Sequence, residues 1–355
     1  MHKMNRQLVM GNEAVIYGAL LGGATHFFGY PITPASEIVH AAAYYFPRAG
    51  RFFLQAESEV SAINMMYGAA CAGSRPMTSS SGPGISLMGE GISYMAGAEL
   101  PGVIVDVQRV GPGLGYIWPE QGDYNMMVKG GGHGCYRNVV FAPYSVQEMC
   151  DFTYRAFDIA DAYRMTVVIL SDAYIGQMME PLVLPSAVKQ GTRKEWAVRG
   201  DRESRKNLIT SIYVSPQVLS TLNLKLQAKY QRLEQEQVEY EETETGDAEV
   251  IFVAFGISAR VCFSALQRLR RQGCRAGMLR PKTLFPFPRK PLAALASRVK
   301  KIIVVELNNG QMADDVELAA AGKCPILRYN WYGGIIPSAE EITEKVLSDM
   351  ALASL

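Results

Sequence analysis

Short apolar runs recur along the chain, and each closes in a glycine-rich or polar turn. They are Val103 to Val107 before Gln108-Arg109, Thr166 to Leu170 before Ser171-Asp172, Val250 to Phe255 before Gly256, and Ile302 to Val305 before Glu306. Runs this short, β-branched and uninterrupted predict strands buried on both faces, as in parallel sheets. Helical periodicity fills the gaps. Glu59 to Cys71 puts Val60, Ile63, Tyr67, Ala70 and Cys71 on one face and stops before Gly73, a good residue just past a helix end. Ser258 is placed to cap a second helix in which Val261, Ala265, Leu266 and Leu269 repeat at three and four, with Gly273 beyond its end. Alternation of this kind predicts an α/β architecture with two parallel-sheet domains.

A shift in charge separates the two units. Lys189 to Lys206 carries seven basic residues against three acidic, whereas Glu234 to Glu249 carries eight acidic residues and no Lys or Arg. Between them Ser215-Pro216 signals a helix start, and Leu219, Leu222, Leu226 and Leu233 form a heptad-like stripe. The predicted division is a first domain over 1–188, a charged, partly helical connector over 189–246, and a second domain over 247–355.

Composition narrows the class. With 355 residues, 48% apolar and 19% charged, the chain is long enough for about two domains, and it is not disordered. Its 35 Lys+Arg against 34 Asp+Glu leave a net charge of +1, which gives no footprint for nucleic acid or an acidic membrane. The six cysteines contain no C-x-x-C pair and the four histidines, His2, His26, His40 and His133, no metal-ligand spacing, so no metal centre is expected in this chain. Seventeen Met and unpaired Cys fit a reducing, cytoplasmic setting. Lys3 and Arg6 precede an apolar stretch, Ala14 to Leu21, that is too short for a membrane span and has no clear cleavage site.

Three elements of the first half carry candidate chemistry. In Gly29-Tyr30-Pro31-Ile32-Thr33-Pro34 two prolines fix the backbone on either side of Thr33, which either faces a ligand or serves as a turn residue. Glu59 opens an apolar helix where a carboxylate is half desolvated; compensation of the helix dipole is the alternative use. Arg109 follows a strand at the edge where α/β sheets gather ligands, and a guanidinium there can take a carboxylate bidentately or form an ordinary ion pair. Gly82-Pro83-Gly84 is a tight strand-to-helix turn whose amides can also approach a ligand. Gly111 to Gly115 lacks the spacing of a dinucleotide fingerprint.

Tyr30-Pro31-Ile32-Thr33-Pro34, Glu57-Ser58-Glu59, Thr78 to Met88, Gln108-Arg109 with the following Gly-Pro-Gly-Leu-Gly, and Lys129 to Gly134 resemble the alpha subunits of 2-oxoacid:ferredoxin oxidoreductases. The likeness continues through Gly176 to Pro181, Arg280 to Pro288 and Glu306 to Met312, leaving out only the connector and the two ends. It implies a pyrimidine-binding domain of the thiamine-enzyme type followed by a transketolase-C-terminal-like domain. It also implies an enzyme that oxidises a 2-oxoacid with coenzyme A to an acyl-CoA and carbon dioxide and reduces ferredoxin. Thiamine diphosphate would be shared with a beta subunit, with Mg²⁺ and iron–sulfur clusters in partner subunits, including gamma and a ferredoxin-like delta.

In residues, the resemblance implies that Glu59 hydrogen-bonds the pyrimidine ring of the cofactor and promotes the tautomer that deprotonates the thiazolium carbon. Glu57, two residues earlier, would point elsewhere. Thr33, with Ile32, would meet cofactor and substrate, and Arg109 would hold the 2-oxoacid carboxylate. Tyr30, Pro31 and His133 would support the site, with a turn-stabilising role equally open for His133. The Gly-Leu-Gly after Arg109 and the Pro119 to Tyr124 run look like the branched-chain (3-methyl-2-oxobutanoate) type, with Leu114, Tyr116 and Trp118 lining an apolar side-chain pocket. Val110 and Cys135 depart from the family pattern. Alternatives are the 2-oxoglutarate type, a non-catalytic scaffold subunit, and the beta component of an NAD-linked 2-oxoacid dehydrogenase.

Overall fold

A computed structural model describes residues 6–352; His2 and Lys3 lie outside it. The chain opens with β1 (Gln7–Met10), α1 (Gly11–Leu21), β2 (His26–Gly29), α2 (Ser36–Arg48), β3 (Phe52–Gln55), α3 (Glu59–Cys71), β4 (Pro76–Ser80) and α4 (Gly82–Gly97). There follow β5 (Gly102–Gln108), α5 (Tyr124–Val128), β6 (Val139–Phe141), α6 (Val146–Tyr163), β7 (Thr166–Asp172), α7 (Ala173–Gln177) and β8 (Met179–Leu182). After a largely irregular stretch come α8 (Pro216–Glu236), β9 (Tyr240–Thr243), β10 (Val250–Val253), α9 (Gly256–Arg271), β11 (Ala276–Pro281) and β12 (Thr283–Phe285). The chain continues with α10 (Arg289–Ala296), β13 (Lys301–Glu306), α11 (Gln311–Ala320), β14 (Ile326–Asn330) and α12 (Ala339–Leu352).

Two α/β sheets result, as expected. The first has the order β12-β6-β7-β5-β4-β2-β3, and the second β14-β13-β10-β11-β9. Every pairing within them is parallel except β12 on β6 and β9 on β11. Each sheet therefore borrows a strand across the expected division. Residues 240–243, from the stretch read as connector, form an edge strand of the second sheet, and 283–285 return to the first. The 21-residue helix α8 uses only part of its leucine stripe: Leu226 and Leu233 are buried with Tyr230, while Leu219 is exposed. Among the described residues no helix is long and apolar enough to cross a membrane.

Two local expectations need correction. Ser258 does not cap α9, which begins at Gly256; its Oγ instead donates to Gln121 Oε1 at 2.8 Å. The cap comes from the first unit, where Asp172 Oδ2 accepts from Ile257 N at 3.0 Å. The Val103 to Val107 strand is not uninterrupted either, because Asp106 sits in it, fully buried.

Candidate functional site

The parallel strands β2, β3, β4, β5 and β7 end on one edge, so the segments that follow them gather there. Tyr30 to Pro34 follows β2, Glu57 to Glu59 follows β3, Ser81 to Gly84 follows β4 and Arg109 follows β5. This is the edge at which open α/β sheets bind ligands.

Arg109 and Thr33 meet directly. The guanidinium donates from one terminal nitrogen to the Thr33 carbonyl at 2.8 Å and from the other to the Leu114 carbonyl at 2.9 Å, while its Nε is buried without a partner. Thr33 keeps its side chain exposed. The loop after Arg109 folds back on itself, with Val110 N donating to the Trp118 carbonyl at 3.0 Å and Tyr116 N to the Val110 carbonyl at 3.1 Å. Gly115 is required in that turn. Its φ is +61°, and a Cβ there would lie 1.7 Å from the Val110 oxygen.

Glu59 starts α3 behind Ser58, whose hydroxyl accepts from Ser61 N as a conventional N-cap. Its carboxylate is 5% exposed and has one long contact, from Ser80 Oγ at 3.5 Å; among the described residues no cation pairs with it. The first turn of α4 lies against it so closely that a Cβ on Gly84 would come within 2.4 Å of Glu59 Oε1 and 2.1 Å of Ser80 Oγ. Glu57 is exposed and accepts from Ser61 Oγ, so it points away from this turn. The hydroxyls of Thr78, Ser79 and Ser81, next to Ser80 in the chain, are buried without partners among the described residues. A buried acid with hydrogen-bonding capacity left over fits a ring nitrogen of an aromatic heterocycle such as a pyrimidine.

The first turn of α4 also connects Glu59 to Arg109. Gly82, Pro83 and Ser86 line a cavity of about 600 Å³ together with Arg109, Asp123 and Asn309. A second cavity, about 520 Å³ and mostly apolar, is lined by Thr33, Pro34, Ile117, Trp118, Tyr174 and Met178. The Thr33–Arg109 contact stands between the two. Of the three residues expected around an apolar pocket, only Trp118 lines one; Leu114 is 82% exposed and Tyr116 lies outside.

The remaining candidates scatter. Tyr30 is half exposed, Pro31 is partly buried, and Ile32 packs against the core while its carbonyl caps a turn by accepting from Ala35 N. His133 is exposed beside the C-terminal half of α4, where its carbonyl accepts from Ser93 Oγ at 2.6 Å and its ring meets Tyr94 edge-on. That placement favours the turn-stabilising role.

Sequence reasoning missed a buried carboxyl pair. Asp106, in β5, meets Asp123, in the loop that ends at α5, within hydrogen-bonding reach. Burial raises both; the Asp123 carboxylate raises Asp106 further, while Glu120 adds to burial at Asp123, which is pushed up to about 7 although Arg109 and the hydrogen bond from Asp106 oppose it. A lone acid inside a Val-Ile-Val-Asp-Val run was the available signal.

The family model described as pyruvate flavodoxin/ferredoxin oxidoreductase, thiamine diP-bdg, matches residues 17–244. The chain belongs to the 2-oxoacid:ferredoxin oxidoreductase family. A second model, pyruvate:ferredoxin oxidoreductase core domain II, matches residues 248–342. Relatives within the family include ketoisovalerate oxidoreductase subunit VorB of Methanothermobacter thermautotrophicus, 55% identical over 97% of both chains. The 2-oxoglutarate synthase subunit KorA of Archaeoglobus fulgidus is 36% identical, over 94% of this chain and 96% of its own. Among solved structures, 2-oxoglutarate:ferredoxin oxidoreductase from Magnetococcus marinus superposes with a TM-score of 0.88 at 28% identity. That match covers 97% of this chain and 65% of the solved one. A split-gene transketolase, TM-score 0.57 at 14% identity, shares the fold. Like its family relatives, this oxidoreductase chain is an alpha-type subunit of a larger, thiamine diphosphate-dependent enzyme.

Proposed function

We propose that this chain is the alpha subunit of an enzyme that converts a branched-chain 2-oxoacid, 3-methyl-2-oxobutanoate, and coenzyme A to acyl-CoA and carbon dioxide, with two electrons passed to ferredoxin. The observation that carries the substrate class is the Arg109–Thr33 contact standing beside an apolar cavity. A 2-oxoacid presents one carboxylate and one side chain, and this arrangement offers a cation for the first and hydrocarbon for the second. Among the described residues the only charged one lining that cavity is Glu37, which disfavours the second carboxylate of 2-oxoglutarate. VorB relatives named for ketoisovalerate point the same way.

Glu59 would hold the pyrimidine ring of thiamine diphosphate, with Ile32 and Thr33 flanking it and Tyr30 and Pro31 fixing their backbone. The bound cofactor supplies an electron sink for decarboxylation. Glu59 presents its carboxyl with only a long serine contact competing for it, and its burial keeps water away from that group. Arg109 orients the substrate carboxylate. A beta subunit carrying the diphosphate and Mg²⁺ would complete the site, gamma and ferredoxin-like delta subunits would hold iron–sulfur clusters, and the complex would work in the cytoplasm. The division into 1–188, 189–246 and 247–355 is part of this proposal, with the exchanged strands β9 and β12 locking the outer parts together.

The test is to purify the chain with its native partners and assay a panel of 2-oxoacids with coenzyme A and ferredoxin. Turnover of 3-methyl-2-oxobutanoate at a kcat/KM at least about tenfold above that of 2-oxoglutarate supports the assignment. A preference for 2-oxoglutarate refutes the substrate, and activity with NAD in place of ferredoxin refutes the acceptor.

A further inference from the structure

The cavity beneath Arg109 holds more acid than an anion-binding site tolerates. Asp123 and Glu120 line it with Arg109, and Asp106 lies behind Asp123 with neither of its oxygens exposed. Glu120 has a donor, accepting from Gly111 N at 2.9 Å. Asp106 has no such help: among the described residues neither of its oxygens has a donor other than the Asp123 carboxyl, and Asp123 Oδ2 is likewise buried without a conventional donor. Two carboxylates in contact cannot both stay ionised when water is excluded, because each unpaired buried charge costs several kcal/mol, on the order of magnitude seen for isolated ions. From the second unit, Asn308, Asn309, Gln311 and the phenol of Tyr332 face the cavity, and none is a cation or a carboxylate. Among the described residues Arg109 is thus the one cation lining it.

We propose that Asp106 and Asp123 share one proton, with Asp106 as donor, so that the pair presents one negative charge instead of two beneath Arg109 and leaves that cation free to bind an anionic substrate. Asp106 is a positioning residue and acts through Asp123. The donated hydrogen fixes Asp123 against the first turn of α4, where its carboxyl lies within 3.4 Å of the place a Cβ on Gly82 would occupy and meets the Gly82 amide. Asp123 N in turn donates to Gln108 Oε1 at 3.1 Å, which ties the loop back to the end of β5. The turn that carries Glu59's neighbour Gly84 and the strand that leads into Arg109 are therefore held by the same proton. Protons held by such a pair titrate as a unit.

The sign follows from charge. Losing the shared proton at alkaline pH puts a second negative charge under Arg109 and weakens binding of a 2-oxoacid, so substrate KM should rise on the alkaline side. Asp106→Asn keeps a donor to Asp123 and cannot ionise. The proposal rests on the assignment of Arg109 to the substrate carboxylate only for this kinetic arm. In the reconstituted complex, Asp106→Asn should keep KM within about threefold of wild type at neutral pH and abolish the alkaline rise. Asp106→Leu, which removes the donor at similar volume, should raise KM by about tenfold, equal to about 1.4 kcal/mol. A second readout needs no turnover: infrared difference spectra of the full-length chain, wild type minus Asp106→Asn, should show a protonated carboxyl band at neutral pH. Absence of that band overturns the shared proton even if the enzyme is confirmed. So does an alkaline KM rise unchanged in Asp106→Asn. Should the complex fail to use 2-oxoacids while the band is present, the proposed function falls and the carboxyl pair stands.

Discussion

The two sheets end in similar edges and use them in opposite ways. In the first sheet the segments after β2, β3 and β5 leave Thr33 exposed, Glu59 with one long contact and Arg109 with an unpartnered Nε. In the second sheet the corresponding edge, after β10 and β13, is consumed by hydrogen bonds. Gln121 reaches across to donate to the Phe255 carbonyl at 2.8 Å, and its Oε1 accepts from Ser258 Oγ at 2.8 Å and Leu307 N at 3.1 Å. Glu306 is as buried as any acid in the first unit, yet its two oxygens accept from Met312 N at 2.7 Å and Ala313 N at 2.9 Å. Burial alone therefore does not mark a reactive group. The distinction lies in whether the structure has already filled its hydrogen-bonding directions.

Glu59→Gln should separate the two edges most sharply. A neutral amide cannot give up the proton, so acyl-CoA formation by the reconstituted complex should fall about 1,000-fold while the subunits still co-purify. Wild-type turnover by this variant would remove Glu59 from the chemistry. Next in size, Gln121→Ala should lower stability by about 3 kcal/mol, read from denaturant unfolding, because it strands three buried partners between the two units. An unchanged midpoint would show that the second edge is not held this way. Arg109→Ala should raise substrate KM about 100-fold for loss of a charge-assisted pair, with the unfolding midpoint nearly unmoved. An unaltered KM would mean that the carboxylate binds elsewhere.

The smallest effect concerns Glu306, which burial pushes up to about 7 against its two amide donors. The folded state then holds a proton that the unfolded chain releases at an ordinary carboxyl value of 4.5. Its stabilising contribution is complete below that value and is lost as pH rises through about 7, a loss on the order of 2–3 kcal/mol between roughly pH 5 and pH 8. Comparing unfolding midpoints of wild type and Glu306→Gln at those two pH values isolates the term. Parallel pH dependence in the two proteins would assign it to other groups.

Local pattern decided much of this chain. The strand cores of β5, β7, β10 and β13 and the bounds of the helix from Glu59 to Cys71 were legible because apolar runs and helix-end residues are local properties, but that helix buries Ala62, Ile63, Met66 and Ala70 and leaves Val60 exposed, a different face from the one its sequence predicts. The placement of Thr33, Glu59 and Arg109 after successive strands was legible for the same reason, once alternating strands and helices implied a parallel sheet. The borrowed strands β9 and β12 were not, since three- and four-residue segments carry too little periodicity to show which sheet they join. Ser258 looked like a cap because nothing local reveals that Asp172, 85 residues earlier, supplies the acceptor to Ile257.

What the sequence by itself determined is the identity and order of the chemical groups and the elements that hold them. Tertiary structure alone decided which groups found partners. Glu306 and Asp172 were satisfied by backbone amides, whereas Glu59, Arg109 and the Asp106–Asp123 pair were brought together with bonding capacity unspent. Hydrogen-bond satisfaction depends on contacts between residues far apart in the chain, and in water every one of these side chains would be solvated alike.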